Sequence, residues 1–174
     1  HIPILDVPPW IGIDRVLGAW GALNKLNKKS LNSNGILIAD AGTILSITRI
    51  SSNGNFKGGQ LVAGLSLQIK AMTNGALNLS DPGEFYLIKD KFPSLTNEAM
   101  LKGAIQALTG MIIEAQRGED IPICICGGDS LLLFNQIKKH GIDIYHHPNL
   151  VLEGMIDLQN QIKQQQGHSK SDQP

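Results

Sequence analysis

The sequence has no excess of charge of either sign. Lys and Arg number 15, Asp and Glu number 15, and the formal net charge is zero. No global positive field therefore exists to hold nucleic acid or an anionic membrane surface. Long apolar runs are also missing: none approaches the roughly 20 residues that span a bilayer, and no secretory leader is read at the start. Cysteine is confined to Cys124 and Cys126, one residue apart and too close for an ordinary disulfide staple. That usage points to a reducing, cytoplasmic setting. What is present is an ordinary apolar fraction of 42% against 17% charged residues, which excludes wholesale disorder. The 174 residues suffice for one sizeable core, or for one lobe and part of another. With His rather than Met at position 1, the chain is expected to begin inside a longer protein.

The periodicity of the chain reads as mixed α/β. Residues 1–5 look like a short strand without a partner nearby. From Gly12 to about Leu26, Val16, Leu17, Trp20 and Leu23 recur at helical spacing. The polar stretch 24–35 reads as a surface loop. Three strand signals follow: residues 36–40, 43–50 and 56–64, the last two joined by a turn at 51–54 with the dipeptide Asn53-Gly54. Gly58-Gly59 marks a bulge or a close backbone approach. A helix is expected over 65–73, a long loop over 74–93, and a long helix from Thr96 to about Ala115, capped by Thr96 or a neighbour, with Glu98 in its first turn. A buried strand ending in Gly127-Gly128, a helix to about His140, a strand at 142–145 and a helix over 149–162 complete the order, and a frayed polar tail closes it. From residue 36 the order is β-β-β-α-β-α-β-α, the ribonuclease-H-like topology.

Three local clusters could carry chemistry. In Gly12-Ile13-Asp14-Arg15, an acid and a base adjoin at a helix start, where free N–H groups point outward. Arg15 could fork onto a carboxylate and Asp14 could accept a hydroxyl proton. Spacing by itself favours a plain helix N-terminus with a surface Arg. In Asp40-Ala41-Gly42-Thr43, a carboxylate at a strand end precedes a Gly that lets a ligand approach the backbone; a D-x-G β-turn needs no ligand at all. In Gly127-Gly128-Asp129, glycines follow a buried strand and precede a helix. That place admits a ligand to the sheet end, and it equally suits a tight connection with Asp129 as N-cap. His146-His147 reads as a surface turn, Cys124 and Cys126 as small fillers on one face of a strand, and Trp10 and Trp20 as packing beside the first cluster.

Taken together and in order, these segments resemble the type III pantothenate kinase family, also called the Baf family. The resemblance is carried by PPWIGIDRVLGAWGAL (8–23), ILIADAGTILSITRI (36–50), GNFKGGQLVAGLSLQIKAM (54–72), LTNEAMLKGA (95–104), CICGGDSLLL (124–133) and HPNLVLEGM (147–155). It implies an α/β, ribonuclease-H-like lobe of the actin and sugar-kinase superfamily. The implied division is a remnant of a preceding lobe at 1–34, the C-terminal lobe at 35–163 and a flexible tail at 164–174. It implies ATP-dependent phosphorylation of pantothenate, the first step toward coenzyme A. By motif position, Asp14 matches the general base, and Gly12, Ile13, Asp14, Arg15 and Thr96 match substrate contacts. Gly42, Thr43, Gly127 and Gly128 match the ATP site, and Asp40 matches the ligand of a monovalent cation, potassium or ammonium, with Mg²⁺ accompanying ATP. Family enzymes are homodimers whose substrate site is completed across the interface.

The sequence also departs from the family pattern. The family's N-terminal D-x-G-N-T phosphate loop is missing, so half of the ATP cleft is expected to be missing too, and low activity of the 174 residues alone is expected. Ala63 and Asn78 stand where Pro is usual and Cys126 where Thr is usual, and Thr96-Asn97 reverses the family order. Two other readings compete: another kinase or phosphatase of the same superfamily, and a regulatory protein that keeps the fold without catalysis.

Overall fold

The computed structural model describes residues 2–28 and 34–171. Five strands form one sheet: β1 (Gly35–Ala41), β2 (Ile44–Ser51), β3 (Phe56–Ala63), β4 (Ile123–Cys126) and β5 (Ile144–His146). Their spatial order is β3-β2-β1-β4-β5. β1, β2 and β3 pair antiparallel, while β4 and β5 join β1 in parallel. This is the ribonuclease-H-like arrangement expected from the element order. Five helices cover it: α1 (Ile13–Lys28), α2 (Leu65–Gly75), α3 (Thr96–Gln116), α4 (Ser130–Ile137) and α5 (Leu150–Ser171).

The sheet is coated on both faces, which explains why β1 and β4 are nearly unbroken apolar runs. Alternate residues of a strand face opposite ways. Leu37, Ala39, Ala41, Leu45, Ile47, Ile123 and Ile125 face one core with Leu65, Ile69, Leu101, Leu108 and Leu133 from α2, α3 and α4. Ile36, Ile38, Ile50, Cys124 and Cys126 face the other, with Ala19, Trp20 and Leu23 of α1 and Leu150 of α5.

On that second face α1 and α5 meet backbone to backbone. A Cβ on Gly21 would lie 2.9 Å from the carbonyl oxygen of Leu150 and 3.2 Å from the Cα of Gly154. A Cβ on Gly154 would run into the Leu17 carbonyl. The two glycines let the helices approach closely and so set where the first turn of α1 lies over the sheet.

Several expectations need correction. Residues 1–5 do have a partner: Leu5 forms an isolated parallel bridge with Asn55, donating to the Gly54 carbonyl at 3.0 Å and accepting from Phe56 at 2.9 Å. α1 runs on to Lys28 and β1 begins at Gly35, so residues 24–28 and 35 of the expected 24–35 loop are not loop; 29–33 lie outside the described residues. α5 continues to Ser171 rather than stopping at 162, so the backbone of the expected flexible tail is helical that far. The N-cap of α3 is the neighbour of Thr96, Leu95, within the expectation, though it makes no side-chain cap bond.

Other expectations hold. The turn at 51–54 is closed by a bond from Gly54 N–H to the Ser51 carbonyl, 3.0 Å, with Gly54 at φ 78°. The register of β2 against β3 slips between Thr48 and Ile50, opposite Gly58, which has φ 100°. That slip is the expected bulge. Residues 76–95 form no helix or strand and are tied back where Lys102 Nζ donates to the Ile88 carbonyl at 3.0 Å.

Candidate active site

The three sequence clusters converge at one end of the sheet, on the face covered by α1. Ile36 and Ile38 face α1, so Asp40, two residues on, faces the same way at the carboxyl end of β1. Asp40 lies in register with Cys126 at the end of β4. A turn at Pro8–Ile11, closed by Ile11 N–H on the Pro8 carbonyl at 3.1 Å, leads the chain into α1. The first turn of α1 then brings Asp14 toward Asp40. Asp14 is exposed, and its carboxylate folds back over Gly12, where a Cβ would meet Oδ1.

Electrostatics register the convergence. Burial pushes the Asp40 carboxyl above the ordinary carboxylate range, and the negative charge of Asp14 pushes it further. A hydrogen bond from the Cys126 thiol works in the opposite direction. That thiol is itself driven up, by burial first and by the Asp40 charge next, so Cys126 is a protonated donor to Asp40 and not a thiolate. The filler reading of Cys126 was therefore incomplete.

Arg15, one residue on, turns to β2 and β3. Its Nε and Nη2 donate to the hydroxyl of Thr48 at 3.1 and 2.9 Å, and the guanidinium carbon lies 6.0 Å from the Phe56 ring centre. Thr48 is only 3% exposed. Gly59 makes the passage possible, since a Cβ there would stand 2.6 Å from Arg15 Nη2. Gly59 is thus the close approach expected at Gly58-Gly59, whereas the role of Thr48 escaped the sequence reading. The signal for Thr48 was present in its phase with Ser46 along β2, two hydroxyls on a strand face otherwise destined for burial.

Two glycines clamp the turn that follows Asp40. Gly64 donates its N–H to the Thr43 carbonyl at 2.9 Å, and a Cβ at Gly64 would collide with the Gly42 carbonyl. On the other side Gly127, at φ 91°, presses against Asp40: a Cβ would lie 2.5 Å from Asp40 Oδ1 and 2.6 Å from the Ala41 carbonyl. Asp129 N–H donates to the same Ala41 carbonyl at 2.9 Å. Asp129 occupies the N-cap position of α4 but makes no side-chain cap bond, and burial pushes its carboxyl up. Gly128 and Thr43 are exposed at the rim.

Thr96 is not brought to this place. It begins α3, which packs on the opposite face of the sheet, and it is exposed. Trp20 is buried under α1, whereas Trp10 is 81% exposed. Among the described residues no group of three His, Cys, Asp or Glu side chains could enclose a metal ion.

Residues 4–117, which hold the first two of the three sequence clusters, match the family model of the type III pantothenate kinases. The chain belongs to the type III pantothenate kinase family. Curated family members include a type III pantothenate kinase of Porphyromonas gingivalis, 35% identical over 153 residues, covering 83% of this chain and 59% of that protein. Another, from Synechococcus sp. (strain JA-3-3Ab), is 28% identical over 164 residues, covering 89% and 64% respectively. The chain thus spans about three fifths of the length of the curated relatives it matches. Among solved structures, a Campylobacter jejuni protein assigned to the Baf family of transcriptional activators superposes with a TM-score of 0.69 at 20% identity, covering 94% of this chain and 70% of its own. A Sinorhizobium meliloti protein assigned as a 2-dehydro-3-deoxygalactonokinase superposes with a TM-score of 0.60 at 12% identity, covering 85% and 59%. Those likenesses show the fold alone, in agreement with the ribonuclease-H-like sheet described above. No helix among the described residues is long and apolar enough to cross a membrane.

Proposed function

We propose that the protein transfers the γ-phosphoryl group of ATP to the terminal hydroxyl of pantothenate. The observation that carries this reading is the pairing of Asp14 with Asp40 at the glycine-clamped end of β1, in a chain of this family. In the proposed step the pantothenate oxygen forms a bond to the γ-phosphorus as the bond from phosphorus to the β-bridging oxygen breaks. ADP leaves, and the hydroxyl proton passes to Asp14. The exposure of Asp14 suits it as the base: it is accessible to substrate, while Asp40 is half-buried.

Gly12, Ile13 and Arg15 would position the vitamin, with Arg15 held in place by Thr48. Gly42, Gly127 and Gly128 would face the phosphates, because their backbones come close without intervening side chains, and Thr43 would add its hydroxyl. A monovalent cation, potassium or ammonium, suits Asp40. A half-buried carboxylate beside a second carboxylate is relieved by one positive charge, and the Ala41 carbonyl lies against the same Gly127 turn as Asp40 Oδ1. Mg²⁺ would arrive with ATP. Thr96 would reach pantothenate only from a second copy of the chain, in a homodimer; exposed Phe92 and Leu95 beside it suit such a contact. Two buried, unbridged cysteines fit a cytoplasmic setting.

The reading is tested by presenting the full-length protein with ATP and a panel of hydroxyl acceptors. Pantothenate should be phosphorylated in preference to sugars, with turnover dependent on potassium or ammonium. Preference for a sugar, or hydrolysis of phosphate esters without ATP, would overturn it.

A further inference from the structure

Behind the Gly127 turn lies a polar chain that the proposed reaction does not use directly. Ser130, at the start of α4, is 1% exposed. Its Oγ lies 2.6 Å from the Gly127 carbonyl oxygen, to which it donates, and 3.0 Å from His146 Nε2. A hydroxyl has one proton. At 2.6 Å from a carbonyl oxygen that proton must point to the carbonyl, since two bare oxygens so close would repel. His146 must therefore present Nε2–H and donate to Ser130 Oγ, whichever state Nδ1 is in. The ring is held for this by β5, paired with β4 at Ile125, and by stacking on Phe134, with centroids 5.1 Å apart and planes 22° from parallel.

We infer that His146, acting through Ser130, is a positioning residue that fixes the Gly127 carbonyl and with it the turn pressed against Asp40. The carbonyl receives two donors from one residue, Ser130 N–H at 3.2 Å and Ser130 Oγ at 2.6 Å. Gly127 sits at φ 91°, where local preference alone holds no single conformation, since glycine visits many. The bonds to its carbonyl select one. On its other side the turn touches Asp40 Oδ1 and the Ala41 carbonyl, so a shift of the turn moves the very groups assigned above to cation and phosphates. The functional consequence rests on that assignment; the positioning does not.

Two readouts on the full-length protein separate the two. The variants are H146Q, which keeps a donor; H146F, which keeps an aromatic ring to stack but cannot donate; and S130A. The first readout is hydrogen exchange of the Asp129 amide, bonded to Ala41 across the turn. The second is KM for ATP against KM for pantothenate. The inference expects faster Asp129 exchange in H146F and S130A, near-normal exchange in H146Q, and a KM for ATP raised about tenfold in the first two with KM for pantothenate unchanged. Exchange in H146F and S130A equal to that of the unaltered protein overturns the positioning role. Accelerated exchange with an unaltered KM for ATP upholds the positioning and instead refutes the assignment of the turn to the nucleotide.

Discussion

Gly127 and Asp40 touch across the ends of β4 and β1 where only glycine fits: a Cβ at position 127 would lie 2.5 Å from Asp40 Oδ1. Gly127 also holds φ 91°, a region that costs a residue with a side chain roughly 1–2 kcal/mol. G127A should therefore lower the melting temperature by about 2–8 °C. It should also lower phosphotransfer by about a hundredfold, because the methyl displaces a carboxylate at the reacting end of the sheet. Thermal denaturation and a coupled ADP assay read the two effects. An alanine variant of full activity would show that the contact sets nothing.

The crossing of α1 and α5 tests how the site is aimed. A side chain on Gly154 meets the Leu17 carbonyl, which cannot rotate away as a side chain could. Overpacking of this kind costs about 1–3 kcal/mol or more. G154V should be destabilised by at least that amount in urea denaturation, and its KM for pantothenate should rise as the first turn of α1 shifts. G110V is the control, since the space about Gly110 is open. It should keep its stability or gain a few tenths of a kcal/mol, since valine favours a helix slightly more than glycine does.

Asp129 gives a dependence on pH. Burial raises its carboxyl above the ordinary 3.8 in the folded protein. The folded state therefore binds that proton more tightly than the unfolded state. The resulting stability is present below pH 3.8 and is lost as pH rises through the folded value. D129N lacks this loss. It should be the more stable protein at neutral pH, by a margin that shrinks as the pH is lowered toward 3.8, in parallel denaturation series. A margin that grows on acidification would contradict the stated cause.

Much of the fold was legible from local pattern. β1 and β4 declare themselves as short apolar runs because both faces of the sheet are covered, and α3 declares itself through the 3.6-residue recurrence of residues such as Leu101, Ile105, Leu108 and Ile112. α5 was read short because its apolar recurrence fades after Ile162, while Gln and Lys still favour helix beyond that point. The single bridge at Leu5 depends on Asn55, fifty residues away, and no periodicity announces it.

The site was legible to a smaller extent. Asp14 and Asp40 each admit a plain structural reading, and only the packing of α1 over β1 brings them together. Gly21 and Gly154, where α1 crosses α5, set the position of α1 there, and no local signal states that role. Cys126 reads as a small apolar residue until its register with Asp40 is known. His146 reads as part of a surface turn until Phe134 and Ser130 are seen against it. Each of these is a contact distant in sequence, where spacing carries no information.

The central claim is that Asp14 takes the proton of the acceptor hydroxyl. D14N in the full-length protein keeps the shape of the side chain and removes the base. Steady-state phosphorylation of pantothenate should fall by about 10²–10⁴-fold in kcat, with pantothenate binding by calorimetry changed little. A D14N enzyme that turns over at the rate of the unaltered protein would contradict the account.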